Sequence, residues 1–139
     1  MGRVALVTGG TRGIGEAISI ALKDAGYNVA AVYAGNDVAA KEFSDKTGIK
    51  TYKFNVSDFG QCQSGIAQIV SDLGPVEVLV NNAGITRDGL SFRMSSKDWN
   101  DVITINLTSA FYISKAISRS MIKARTGSII KIGRASCRE

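Results

Sequence analysis

The stretch "VALVTGGTRGIG", Val4 to Gly15, decides how the rest of the chain is read. A β-branched apolar run of strand length passes directly into glycines at 9, 13 and 15. Beyond them Ile14, Ile18, Ala21, Leu22 and Ala25 recur at three- and four-residue steps, the period of a helix packed on one face. A glycine turn between a strand and a helix places backbone N–H groups at a helix start, where the chain approaches a pyrophosphate closely.

Working outward, short apolar runs alternate with longer amphipathic ones. Strands are expected at about 3–8, 28–33, 50–55, 76–81 and 128–132. Helices are expected from Gly13 to Gly26, over 36–47, over 58–73 with Ser57 or Asp58 as N-cap, and as one long helix from the capping-box-like "SSKD" at Ser95 to Ala124, ended by Gly127. Runs of this kind, apolar on both strand faces, belong to an α/β fold: a parallel sheet covered on both sides, doubly wound in the order 3-2-1-4-5 if the chain reverses after its third strand. A ligand crevice then lies where the order reverses, between strands one and four.

Composition narrows the function classes. With 45% hydrophobic residues in 139, the chain fits one globular core. It has no histidine and two widely spaced cysteines, Cys62 and Cys137, so neither a zinc site nor a disulfide framework is expected. The net charge of +5 is scattered and not gathered into a basic block, so no nucleic-acid partner is expected. No long apolar segment suggests a membrane, and a cytoplasmic location is expected.

One polar residue stands out on the long helix. Asn106 falls on the apolar stripe formed by Trp99, Ile103, Ala110 and Ile113, where an amide needs hydrogen-bond partners. Backbone nearby would satisfy it, and so would a role in a site.

Three motifs together carry a resemblance over roughly residues 3–130. The "TGGTRGIG" turn is spaced TGxxxGxG, "NNAG" at Asn81 to Gly84 closes the fourth strand, and "NLTS" at Asn106 to Ser109 lies on the long helix. In these the chain resembles the short-chain dehydrogenase/reductase family, three-layer and Rossmann-like. Within it, "VAAVYAGN", "TGIKTYKFNVSD" and "VEVLVNNAGITRD" are similar to the 3-oxoacyl thioester reductases that act on CoA or acyl-carrier-protein substrates. The resemblance implies a cofactor held by Thr8, Gly9, Gly10, Thr11, Arg12, Gly13, Ile14, Gly15 and Ala34. It further implies that Asn55 and Val56 flank the adenine, that Asn82, Ala83 and Gly84 border the adenosine and nicotinamide ribose, and that Asp88 stands at the acyl substrate's entrance. Asn106 would hold a water in the proton relay, and the full-length parent would be a homotetramer.

Charge favours NADP(H) as that cofactor. The second strand ends "VYAGN" without an acid for an unmodified ribose, while Arg12 supplies a cation for a 2′-phosphate.

The family's acid catalyst, a tyrosine followed four residues later by lysine, is missing: the residues four beyond Tyr27, Tyr33, Tyr52 and Tyr112 are Ala31, Asp37, Val56 and Ala116. The family's serine is missing too. Tyr112 with Lys115 lies ahead of the fifth strand and reads as surface or interface. The printed chain is therefore expected to be inactive, an incomplete domain over 1–131 truncated after its fifth strand. Such a domain would leave the outer face of that strand and the long helix's apolar stripe exposed. Residues 132–139, "IGRASCRE", match no part of the family pattern and read like translated sequencing adapter, an artefactual tail. A non-catalytic dinucleotide-binding module is the alternative.

Overall fold

The computed structural model describes residues 2–85 and 89–133. Five strands, β1 (Val4–Thr8), β2 (Asn28–Tyr33), β3 (Lys50–Lys53), β4 (Val76–Asn81) and β5 (Ser128–Lys131), form one parallel sheet in the order β3-β2-β1-β4-β5. Register is set by pairs such as Leu6 with Ala30 on one side and Leu6 with Leu79 on the other. Since every strand points the same way, all five carboxyl ends meet at one edge. The reversal between β1 and β4 falls where the sequence placed it.

Alternation along β1 shows how the three layers are held. Val4 and Leu6 face a core built with Cys62, Ile66 and Ile69 of α3 (Phe59–Leu73) and, further along the chain, Ile113, Ile117 and Met121. Ala5 and Val7 face the opposite core, with Ile18 and Leu22 of α1 (Gly13–Asp24) and Phe43 of α2 (Asp37–Thr47). Leu6, Leu79, Ile113 and Ile117 are completely enclosed, and burying a side chain of this size contributes about 1.5–3 kcal/mol each. Asn36 and Asp58 cap α2 and α3, accepting from the amides of Ala39 and Gln61. Of the two caps open for α3, the structure therefore selects Asp58 over Ser57.

The long helix departs from its expected form. It is α4 (Ser96–Ile103), then a π turn over Thr104–Thr108, then α5 (Ser109–Ala124), with Ser95 accepting from the Asp98 amide at the start. The Ser109 amide reaches back five residues to the Thr104 carbonyl, and the Ser109 hydroxyl donates to the Ile105 carbonyl. One extra residue in a turn rotates everything upstream by about 100°. The stripe read as continuous and exposed is consequently broken: Ile113, with Ile117 and Met121 beyond it, is buried, and Trp99 is exposed. Tyr112, expected at the surface or an interface, is half-buried, its ring 5.6 Å from that of Phe59 and packed against the core.

Two expected strand ends are shorter, β3 stopping at Lys53 and β5 at Lys131. Ile129 and Ile130 of β5 are each 46% exposed, as expected for an uncovered strand. Cys62 is buried with its thiol free, and loss of solvation, helped by Asp58, pushes it up to about 11. Among the described residues no helix is long and apolar enough to cross a membrane.

The Asp72 carboxylate of α3 ties that helix to β3. The Tyr52 hydroxyl donates to Asp72 at 2.9 Å, and Lys50 stands 3.7 Å from the same carboxylate. Burial, then the bond to Asp72, pushes the Tyr52 phenol up to about 12. A phenol that keeps its proton more tightly when folded stabilises the fold below its unfolded pKa of about 10, and loses that contribution as pH rises toward 12. Chemical unfolding of wild type and Tyr52→Phe should therefore show wild type's advantage shrinking between pH 10 and 12; a gap independent of pH would refute the link.

Candidate functional site

The glycine turn is built on two floors. Gly9 and Gly13 adopt left-handed conformations, φ +63° and +58°, which admit glycine without steric cost. Gly10 donates to the Val32 carbonyl of β2, and the enclosed Ser19 hydroxyl of α1 donates to the Gly10 carbonyl. Gly15 has no room for a side chain: a Cβ there would strike the Gly9 carbonyl and approach the Asn82 amide nitrogen to 2.6 Å. The turn is thus folded against α1's first residues and the end of β4 together.

Thr8 and Asn82 make that join. Thr8 is 2% exposed, and its hydroxyl oxygen accepts from the amides of Asn82 and Ala83, both at 3.0 Å, while donating to Val80 at 3.4 Å. In return the Asn82 side chain donates to the carbonyls of Thr8 and Gly9, both at 3.2 Å. The two motifs, far apart in sequence, form a single hydrogen-bonded unit at the β1–β4 crevice.

A third motif is attached to it. Asn106, half-buried within the π turn, accepts from the Ile85 amide at 2.7 Å and donates to the Ile85 carbonyl at 2.9 Å, gripping the backbone just past Gly84. Its expected place on an apolar stripe is corrected to this clamp, which supplies the backbone partners an enclosed amide needs. Each polar end still has one bonding position left for a water. A Cβ on Gly84 would come 3.0 Å from the Asn106 oxygen, so the glycine permits the approach.

The remaining expected residues lie along the same edge. Within the turn and the start of α1, Thr11 is buried and Arg12 and Ile14 are exposed, and Ala34 is exposed just past β2. Asn55 follows β3, its side-chain oxygen accepting from the Ser57 amide, and Val56 is buried with its carbonyl accepting from the Cys62 thiol. Asp88 lies outside the described residues, as do residues 134–139 of the expected tail.

The sequence reading missed one group. The Tyr33 hydroxyl, at the end of β2, donates to Asp37 at 3.1 Å, and Lys53, at the end of β3, donates to the other Asp37 oxygen at 3.1 Å. The Lys53 bond, then that of Tyr33, holds the Asp37 carboxyl below the usual range. Burial, then Asp37, raises the Tyr33 phenol. An acid about twenty residues past a glycine turn was the available signal.

The edge suits a dinucleotide. Arg12 occupies the N-cap of α1 in an extended conformation and contributes no side-chain cap, so the first amides of α1 remain available to an anion. A Cβ at Gly13 would meet nothing within 4 Å, showing open space above them. Beside Val56, the Ser57 hydroxyl is enclosed without a hydrogen-bond partner among the described residues, a polar atom that a base could satisfy.

Comparison with known proteins agrees with this geometry. The family model described as short chain dehydrogenase matches residues 3–138. Acetoacetyl-CoA reductase of Paracoccus denitrificans is 54% identical over 132 residues, covering 95% of this chain and 54% of its own. That of Shinella zoogloeoides is 55% identical, with 95% and 55% covered. The 3-oxoacyl-acyl-carrier-protein reductase FabG of Escherichia coli (strain K12) is 46% identical over 134 residues, with 95% and 54% covered. The chain therefore spans about half the length of the curated relatives it matches. On the glycine turn, its lock to "NNAG", the sheet order and these matches, the chain belongs to the short-chain dehydrogenase family.

Proposed function

We propose that this chain is the cofactor-binding part of an NADPH-dependent reductase that converts a 3-oxoacyl thioester, acetoacetyl-CoA or an acyl-carrier-protein counterpart, to the 3-hydroxyacyl thioester. The observation that carries the reading is the single unit formed by the glycine turn, Thr8 and Asn82, which preorganises the start of α1 for a diphosphate. The names of the similar reductases support the substrate class.

In this reading the amides of Gly13, Ile14 and Gly15 hold the diphosphate and Gly9, Gly10 and Thr11 shape its cradle. Arg12 and Ala34 meet the 2′-phosphate side, Asn55 and Val56 flank the adenine, and Asn82, Ala83 and Gly84 border the riboses. When bound, reduced nicotinamide supplies hydride to the ketone carbon. Asn106 fixes Ile85 and offers its remaining bonding positions to a relay water, and Asp88 is assigned to the acyl substrate by the family resemblance alone. The proton donor to the forming alkoxide lies outside these residues, because no tyrosine here has a lysine four positions later.

The chain by itself should therefore quench or shift NADPH fluorescence saturably, yet fail to oxidise NADPH when acetoacetyl-CoA is added. Absence of NADPH binding would remove the reading, and turnover would remove the assignment of the proton donor elsewhere. The missing Tyr/Lys pair favours a second reading, a non-catalytic dinucleotide-binding module. An in-frame Tyr-x-x-x-Lys in the gene beyond codon 131 selects the reductase.

A further inference from the structure

Three side chains from three elements meet where β2 and β3 end. Tyr33 and Lys53 are register partners on adjacent strands, and Asp37 stands in the first turn of α2. The Tyr33 hydroxyl, carried by the last residue of β2, donates to the Asp37 carboxylate and so holds an acid near the strand end from which a carboxylate accepts the 2′-hydroxyl of an unphosphorylated adenosine ribose. Alone, that carboxylate would attract a ribose hydroxyl and repel a 2′-phosphate. It is not alone, since Lys53 donates to it at 3.1 Å and balances its charge.

We propose that Lys53 is a specificity-determining residue: by pairing with Asp37 it withdraws the carboxylate at the end of β2 from the ribose 2′-hydroxyl and cancels its repulsion of a 2′-phosphate. This rests on the nucleotide reading above and deepens it. With the carboxylate balanced, the cation at Arg12 acts unopposed on a 2′-phosphate, and the preference for the phosphorylated cofactor comes from the two positions together. Both members are more than half exposed, 51% for Lys53 and 63% for Asp37, so the attraction between them is screened and the effect on preference is moderate.

Direct binding tests it, with NADPH and NADH as probes and their own fluorescence as readout, on wild type, Lys53→Gln, Asp37→Asn and the double variant. The preference for NADPH should fall about fivefold in Lys53→Gln, where the carboxylate is released. It should rise in Asp37→Asn, return to within about twofold of wild type in the double variant, and survive in Lys53→Arg. A Lys53→Gln chain that binds both nucleotides with the wild-type ratio overturns the proposal while leaving the nucleotide site standing. A wild-type chain that binds neither overturns the nucleotide reading itself, and this proposal with it.

Discussion

Gly15→Ala should abolish nucleotide binding and destabilise the fold by about 1–3 kcal/mol, the usual cost of forcing an extra methyl into a closed space. The added carbon meets backbone: the Gly9 carbonyl on one side and Asn82 on the other. Neither yields cheaply, because the Gly9 carbonyl is also the acceptor of the Asn82 amide. The turn would have to swing away from α1 and carry the cradle with it. Urea unfolding and NADPH titration read the two effects separately, and unchanged affinity in a folded Gly15→Ala chain would show that the turn adapts. Gly13→Ala is a contrasting case, since a Cβ there meets open space and the penalty comes from its φ of +58° alone.

Thr8→Val should be at least as damaging to stability, at about 2–5 kcal/mol, although it replaces one small buried side chain with another of the same shape. The hydroxyl oxygen is the acceptor for two part-buried amides, those of Asn82 and Ala83, and a buried donor left unpaired costs about 1–3 kcal/mol. Thr8→Ser retains the acceptor and should recover most of the loss. Equal destabilisation by valine and serine would mean that the methyl matters and the hydroxyl does not.

Much of this architecture was readable before any coordinates. Apolar runs with a period suited to buried strands and a glycine turn between the first strand and first helix pointed to a doubly wound parallel sheet, and a reversal after the third strand, which the structure has, then gives its order. Trp99 was misplaced because residue periodicity is blind to a slip of one position: both halves of the helix repeat correctly on either side of the π turn. The Ser109 side chain supports that slip, and a serine in a helix offers no unusual pattern to notice. At the site, position was legible and bonding was not. Thr8 was readable as part of the loop, but that its oxygen joins β1 to the residues after β4 depends on strands seventy positions apart. Asp37 was missed because the reading stopped at Asn36, whereas the Tyr33 side chain reaches over the turn to bond the acid that follows it.

The Thr8–Asn82 lock bears on how the chain comes to be able to bind anything. The glycine motif is complete within the first fifteen residues, yet its acceptors and donors arrive only with residues 82 and 83, and β1 pairs with β4 only after β2 and β3 have been made. As the chain emerges during synthesis, the motif is therefore present long before the site exists, and a nucleotide cannot act as a template for the early sheet. A peptide ending after β3 would carry every residue of "TGGTRGIG" and still lack the partners that hold it in shape.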